Sequence, residues 1–427
     1  MNWILAIPIE VRLAALFVWG LCLGSLANLG IYRLAWRRRA ISPWSCTEAD
    51  ARPRRWLDRL PVIGWLGLRR EAPLHGPGFW IRPMAVDWAF GVGCAALYWW
   101  EVAHHGLEPS LARLPRALAV LIPPAAEADL HARFAVHVVL FWLMLVASLI
   151  DVDEKTIPDA VTVPGTLLGL LAAAVYPWLL LPVISFIPGV FPKAGFLYVT
   201  APNDWPGWMS GFPHVWSLVL GLSCWWLWCV ALMPRTWYAR HGWRRALGLS
   251  IARLLRDRAT RTALVLGLLG TAGIAGAWLW GTAAAWIGLL SALVGMAASG
   301  GLVWMVRIIG RATLGREAMG FGDVTLMAML GAFLGWQTCL VIFFLAPLAG
   351  LILGLLTLVF RREREIPYGP FLCLAALVTI IEWRYVWEAI EPALAVLGGL
   401  VPLFVVFCLV LMAVLLGLWR LIRGLFA

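Results

Sequence analysis

Apolar runs of about 20 residues, each long enough to cross the hydrocarbon core of a bilayer as a helix, recur from Leu13 almost to the C-terminus. Short segments rich in arginine, proline or tryptophan separate them. No water-soluble core accommodates this pattern, because 62% of the 427 residues are hydrophobic and only 13% are charged. The chain therefore reads as an all-α, polytopic membrane helix bundle. It contains no internal repeat or low-complexity tract, and residues 1–427 read as a single membrane domain.

The net charge of +11 would favour nucleic acid in a soluble protein. Here its distribution follows the positive-inside bias of membrane chains, and no nucleic-acid partner is expected. The first run ends in Arg33 and Arg37-Arg38-Arg39, and an Arg-rich loop then extends over residues 33–82. A second basic stretch runs from Arg235 to Arg261, and a third is Arg361-Arg362-Glu363-Arg364-Glu365. Placing all three in the cytoplasm gives about eleven spans, with the N-terminus out and the C-terminus in. Only Arg12, Arg113, Arg116, Arg133, Lys193 and Arg384 are then left outside. The stretch 262–309 is too long for one span and divides near Trp280 to Ala283. Later spans are expected over about 338–360, 371–387 and 394–418. Residues 182–261 read as an outer loop, a span and a basic cytoplasmic loop. The arginines are also suited to contact anionic lipid headgroups.

Eight cysteines occur, but none forms a CxxC pair, and the loop at 33–82 holds Cys46 alone. Neither a zinc site nor a disulfide framework is indicated. Met1 to Arg12 lacks the basic start of a cleavable signal peptide, so the first span reads as a retained anchor.

Two acidic stretches stand where apolar runs meet the cytoplasm. Glu317-Ala318-Met319-Gly320-Phe321-Gly322-Asp323 sets a carboxylate behind two glycines, Gly320 and Gly322, at the mouth of an apolar helix. Asp151-Val152-Asp153-Glu154-Lys155-Thr156-Ile157-Pro158-Asp159 lies between two other runs. The glycines leave room for a substrate backbone and tolerate positive φ. The plain alternative for Asp323 is a helix N-cap. Two aspartates at one membrane face fit an acid pair, in which one group keeps a proton and the other activates water. The topology, drawn from charge and hydropathy, puts Asp151 and Asp323 on the same side.

Other polar residues have competing roles. Asp153, Glu154 and Asp159 could hold a cation, but lack the glycine and closing glutamate of a calcium loop, so they read as solvated acids. Asp87, one turn inside the second span, is either functional or an interfacial acid near Arg82. Asn28 is either catalytic or an interhelical hydrogen-bond residue. His137 reads as interfacial, which leaves Ser25 and Ser299 without a histidine for serine-type catalysis. A membrane peptidase and a proton-relay transporter or structural membrane component both remain open on these residues.

Several segments together resemble the prepilin peptidases, the type IV leader peptidase family of GxGD-type membrane aspartyl proteases. Gly24-Ser25-Leu26-Ala27-Asn28, followed by Arg33-Leu34, is similar to the family's N-terminal segment. Leu60-Pro61-Val62-Ile63-Gly64 and Ile81-Arg82-Pro83 through Asp87 resemble its loop and second-span entry. Ser148 to Asp151 with Ile157-Pro158-Asp159, Gly320 to Asp323, and Ile366-Pro367-Tyr368-Gly369-Pro370-Phe371 resemble its remaining motifs.

The resemblance implies a multi-pass protein of the bacterial inner membrane with Asp151 and Asp323 catalytic and Gly320, Gly322 and Asp159 as supporting motif residues. The implied substrate is a type IV prepilin or pseudopilin that loses its basic leader. N-methylation of the new N-terminus, using S-adenosylmethionine, is a further activity of bifunctional members. Those members carry two CxxC pairs that this loop lacks, so zinc is not expected. The resemblance implies nothing about oligomeric state.

Overall fold

A computed structural model describes residues 7–45, 50–109, 126–185, 193–233, 248, 252, 256–315, 319–360 and 367–425. Cys46, Arg113, Arg116, most of the basic cluster from Arg235 to Arg253, Glu317-Ala318 and Arg361 to Glu365 lie outside the described residues. The principal helices are α1 (Ile9–Leu34), α2 (Ile81–Tyr98), α3 (Glu127–Glu154), α4 (Asp159–Val175), α5 (Val215–Ala231) and α6 (Arg258–Trp280). They continue with α7 (Ala283–Leu314), α8 (Phe321–Phe360), α9 (Gly369–Ile381), α10 (Trp383–Leu397) and α11 (Val401–Leu425). Six helical stretches among the described residues are long and apolar enough to cross a membrane, and α4, α5 and α9 are shorter apolar helices. Helices dominate for a physical reason: in lipid, backbone groups must be satisfied within the segment.

The break between α6 and α7 falls at Gly281-Thr282, where Thr282 caps α7 by accepting from the Ala285 amide at 3.2 Å. This lies inside the interval the sequence indicated. α8 is a helix pair rather than one rod. Gly335 has φ 79°, outside helical geometry, and a straight continuation would carry residue 350 about 40 Å from the start of α8. Instead, a Cβ on Gly350 would stand 3.2 Å from the Phe371 ring, two residues beyond Gly369. Gly369 itself touches Asp151, so the second arm returns toward the end of the bundle where α3 finishes.

The span expected at about 371–387 is different in the structure. α9 ends at Ile381, Glu382 leaves helical geometry, and α10 starts at Trp383. Trp383, Trp387 and Leu394 bury one face of α10. Trp383 Nε1 donates to the Pro182 carbonyl at 2.8 Å, and Asn203 Nδ2 donates to the Leu394 carbonyl at 3.3 Å. The apolar content of 383–387 thus covers the 182–203 segment instead of extending α9. That segment contains a small departure from an all-helical chain: Pro182–Ser185 (β1) pairs antiparallel with Lys193–Phe196 (β2), with Pro182 opposite Phe196.

Close helix contacts set the frame around the ends of α3 and α8. α1 lies so near α2 that a Cβ on Gly24 would stand 2.6 Å from the Asp87 Cα, the approach that small residues permit between membrane helices. The largest core joins α3, the first arm of α8 and α9 through Leu143, Ile150, Met327, Leu330, Leu372 and Ala376.

Candidate active site

Asp151 sits on the last turn of α3, which Lys155 closes in a left-handed conformation at φ 55°. The carboxylate is 4% exposed. The Gly369 amide donates to Asp151 Oδ2 at 3.1 Å. That amide is at the N-terminus of α9, where first-turn N–H groups have no partner within the helix and the macrodipole favours an anion. The contact admits no side chain, because a Cβ on Gly369 would lie 2.5 Å from Asp151 Oδ2.

Asp323 is the third residue of α8 and is 7% exposed. Its Oδ2 accepts from the Gly320 amide at 3.1 Å, the backward reach of an acidic residue in a capping box. The plain reading of Asp323 as a helix-starting residue is therefore partly realised, at the third position rather than the cap. Neither Gly320 nor Gly322 adopts positive φ. Gly322 is needed for close approach instead, since its Cβ would stand 2.8 Å from the Ile157 Cβ. Gly320 supplies its amide.

Ile157 fits between the two acids. Its backbone meets Gly322, while its Cδ1 would be 2.8 Å from a Cβ on Gly369. Asp151, which touches Gly369, and Asp323, next to Gly322, thereby reach the same end of the bundle through their shared neighbour Ile157. Tyr368 borders the pair. Its hydroxyl is buried with no hydrogen-bond partner among the described residues. Burial, followed by the Asp323 charge, pushes this phenol up to about 12, so it stays protonated and able to donate.

The neighbouring acids go elsewhere. Asp153 pairs with Arg82 at 2.5 Å and Arg39 at 3.6 Å. Glu154 accepts the Trp36 and Arg37 amides at 2.7 Å each, tying the start of the Arg-rich loop to the end of α3. Asp159 is exposed at the first residue of α4. No group of three His, Cys, Asp or Glu side chains placed to hold a metal occurs among the described residues.

Asp87 is fully buried and does not pair with Arg82, which is drawn to Asp153 and the Leu149 carbonyl. It accepts instead from Ser25 Oγ, Asn28 Nδ2 and the Val62 amide, each at 2.9 Å. Asn28 and Ser25 thus join α1 to α2, and Val62 docks the loop on them. Within the loop, Arg54 pairs with Glu71 and Arg70 with Asp58. Burial pushes the Asp58 carboxyl up, but hydrogen bonds from Arg70 and the Arg55 amide more than offset it, and the group titrates below the usual carboxylate range.

His137, which the sequence indicated as interfacial, is buried inside the protein. It is 2% exposed and lies 2.5 Å from Glu101, an acid that apolar periodicity alone could not single out. Arg133, placed outside by charge counting, is buried against Glu108 at 2.9 Å. Tyr368 and Gly369 could be found from sequence only as part of the Pro-Tyr-Gly-Pro turn. Ile157 carried no signal beyond its place beside Pro158.

The fold and this site define a multi-pass helical membrane protein with a buried pair of aspartates at one end of its bundle. A family model described as the type IV leader peptidase family matches residues 138–233 and 251–355. The chain is similar to that family over these 201 of its 427 residues. It is 31% identical over 109 residues to a prepilin leader peptidase/N-methyltransferase of Aeromonas salmonicida, covering 25% of this chain and 38% of the relative. Against the protein of the same name in Pseudomonas aeruginosa it is 36% identical over 96 residues, covering 22% and 32%. A longer alignment with the one from Pseudomonas putida has 21% identity over 401 residues and covers 85% of this chain and 88% of the relative. The stronger local matches therefore span about a third of the length of those relatives. No solved structure gives a significant match.

Proposed function

We propose that this chain is an aspartic endopeptidase of the bacterial inner membrane that removes the basic leader from type IV prepilin-like precursors, pilins or pseudopilins. It crosses the membrane about eleven times, with the N-terminus outside and the Asp151 and Asp323 end at the cytoplasmic face, where the leader lies. The observation that carries this reading is the pairing of two buried carboxylates on separate helices. Each has one backbone donor among the described residues.

In the proposed reaction one aspartate, ionised, takes a proton from water as the hydroxide attacks the scissile carbonyl. The other, protonated, gives its proton to the carbonyl oxygen. Collapse of the tetrahedral intermediate breaks the C–N bond as the amine collects a proton from the pair. The acids act as a coupled unit, so neither role belongs permanently to one residue. Tyr368 is placed to donate to the developing oxyanion. Gly322, without a side chain, lets Ile157 pack against the start of α8.

The names of the relatives also include an N-methyltransferase, whose methyl donor would be S-adenosylmethionine. The buried carboxylates of the loop, Asp58 and Glu71, are engaged by Arg70 and Arg54. Cleavage is accordingly derived from the chain's own residues alone. The arginines at this end are proposed to meet anionic headgroups. The similarity to leader peptidases weighs against a proton relay or a structural role.

The test is to incubate the purified chain in detergent with a prepilin from the same cell. Loss of the leader with the unaltered chain, and none with Asp151→Asn or Asp323→Asn, is expected. Cleavage that persists in either variant would refute the acid pair.

A further inference from the structure

A cleft of about 630 Å³ opens among α2, α3 and α9. α2 packs on α1, while α9 packs on α8 and α3, so α2 and α9 flank α3 without close packing along their own lengths among the described residues. Far from the aspartates they are bridged where Trp100 Nε1 donates to the Ile381 carbonyl at 3.1 Å. The near end is formed by Ser148, one helical turn before Asp151, and Pro370, next to Gly369. The near end of the cleft thus lies one helical turn from Asp151.

No charged residue lines the cleft, and Ser148 is its one hydroxyl among the described residues. From Val138 to Ser148 the α3 wall rises about 15 Å, half the thickness of a hydrocarbon core of about 30 Å. An extended peptide would find almost no hydrogen-bond partners here, and only a helix satisfies its own backbone in such surroundings. α2 also presents small residues, Ala89, Gly93 and Ala96, at the spacing of one helix face. A Cβ added at Gly93 would meet nothing within 4 Å.

We propose that this cleft seats the apolar helix immediately following the scissile bond of the substrate, with about ten residues lying against α3 at 1.5 Å per residue. The proposal rests on the leader-peptidase reading and specifies how a membrane-spanning substrate is held. A peptide bond presented to Asp151 and Asp323 continues directly into the cleft, and shape complementarity, rather than hydrophobic expulsion from water, supplies the binding.

The test compares Gly93→Leu, which fills the open side of the cleft, with Gly273→Leu on α6, where an added side chain also meets nothing. Gly93→Leu should raise KM for prepilin about tenfold with kcat little changed, and Gly273→Leu should match the unaltered chain. In parallel, a benzophenone amino acid replaces Leu377 in the Asp323→Asn chain, with Leu268 on α6 as the control position. Cross-links from position 377, but not 268, to the apolar segment of prepilin support the proposal. Unaltered kinetics in Gly93→Leu, or cross-links from 377 to lipid alone or to a second copy of the chain, overturn it. An unaltered chain that leaves prepilin uncut yet cross-links at 377 overturns the cleavage reading and retains the cleft.

Discussion

Among the described residues Asp151 and Asp323 each accept one backbone hydrogen bond, whereas Asp87, also buried, accepts three and ties two helices and a loop together. Glu108 and Asp153 are likewise engaged by Arg133 and Arg82, while Glu101 meets His137 through Oε1 and leaves a buried Oε2 without a partner among the described residues. A carboxylate whose lone pairs are filled by fixed donors serves as a brace. One that is buried but under-supplied can exchange a proton or orient water. Burial alone therefore does not separate the two proposed catalytic acids from Asp87; the number of donors among the described residues does.

The sharpest way to break this contrast is to neutralise each kind of acid. Asp151→Asn or Asp323→Asn should lower prepilin cleavage by about a thousandfold or more, with thermal stability in detergent nearly unaltered. Asp87→Ala should do the reverse. It strands three donors and should cost about 3 kcal/mol of stability, read as a lowered midpoint of thermal aggregation, while the folded fraction keeps its kcat. If Asp87→Ala abolishes cleavage in protein that remains folded, the division between brace and working acid is wrong.

Gly369→Ala probes the single donor to Asp151. Its Cβ would press on Oδ2 at 2.5 Å, and the displaced carboxylate should reduce kcat/KM by about a hundredfold. Tyr368→Phe removes only the unpartnered hydroxyl and should lower kcat about tenfold with KM unaltered. A rise in KM alone would assign Tyr368 to binding. The smallest effect belongs to the loop. Asp58 has a depressed folded pKa, so its pairing with Arg70 contributes fully above the unfolded value of about 3.9 and fades as pH falls through the lower folded value. Limited proteolysis of 50–80 should therefore quicken on acidification, and Asp58→Asn should quicken it already at neutral pH.

Much of the architecture was legible from residue order. The break beside Thr282, the starts of α4 and α8, and the arrival of Asp151 and Asp323 at one end all follow from where apolar runs stop. The boundary at Ile381 did not follow, because Trp383 and Trp387 look like span residues until the 182–203 segment is there to receive them. Arg82 is closer in sequence to Asp87 than to Asp153, yet α3 brings Asp153 within reach and Asp87 is already saturated by Ser25, Asn28 and Val62. His137 and Glu101 likewise lie on different helices, and no local pattern pairs them.

By itself the sequence determined that this chain is a helical bundle with acids at helix ends. That much is imposed by apolar composition, since a backbone deprived of water must bond to itself. Only the tertiary structure decided which acids are satisfied and which are left open. Donors such as Gly369 and Val62 come from segments that are distant from their acceptors in the chain, and helix packing alone chooses which of them a buried carboxylate meets.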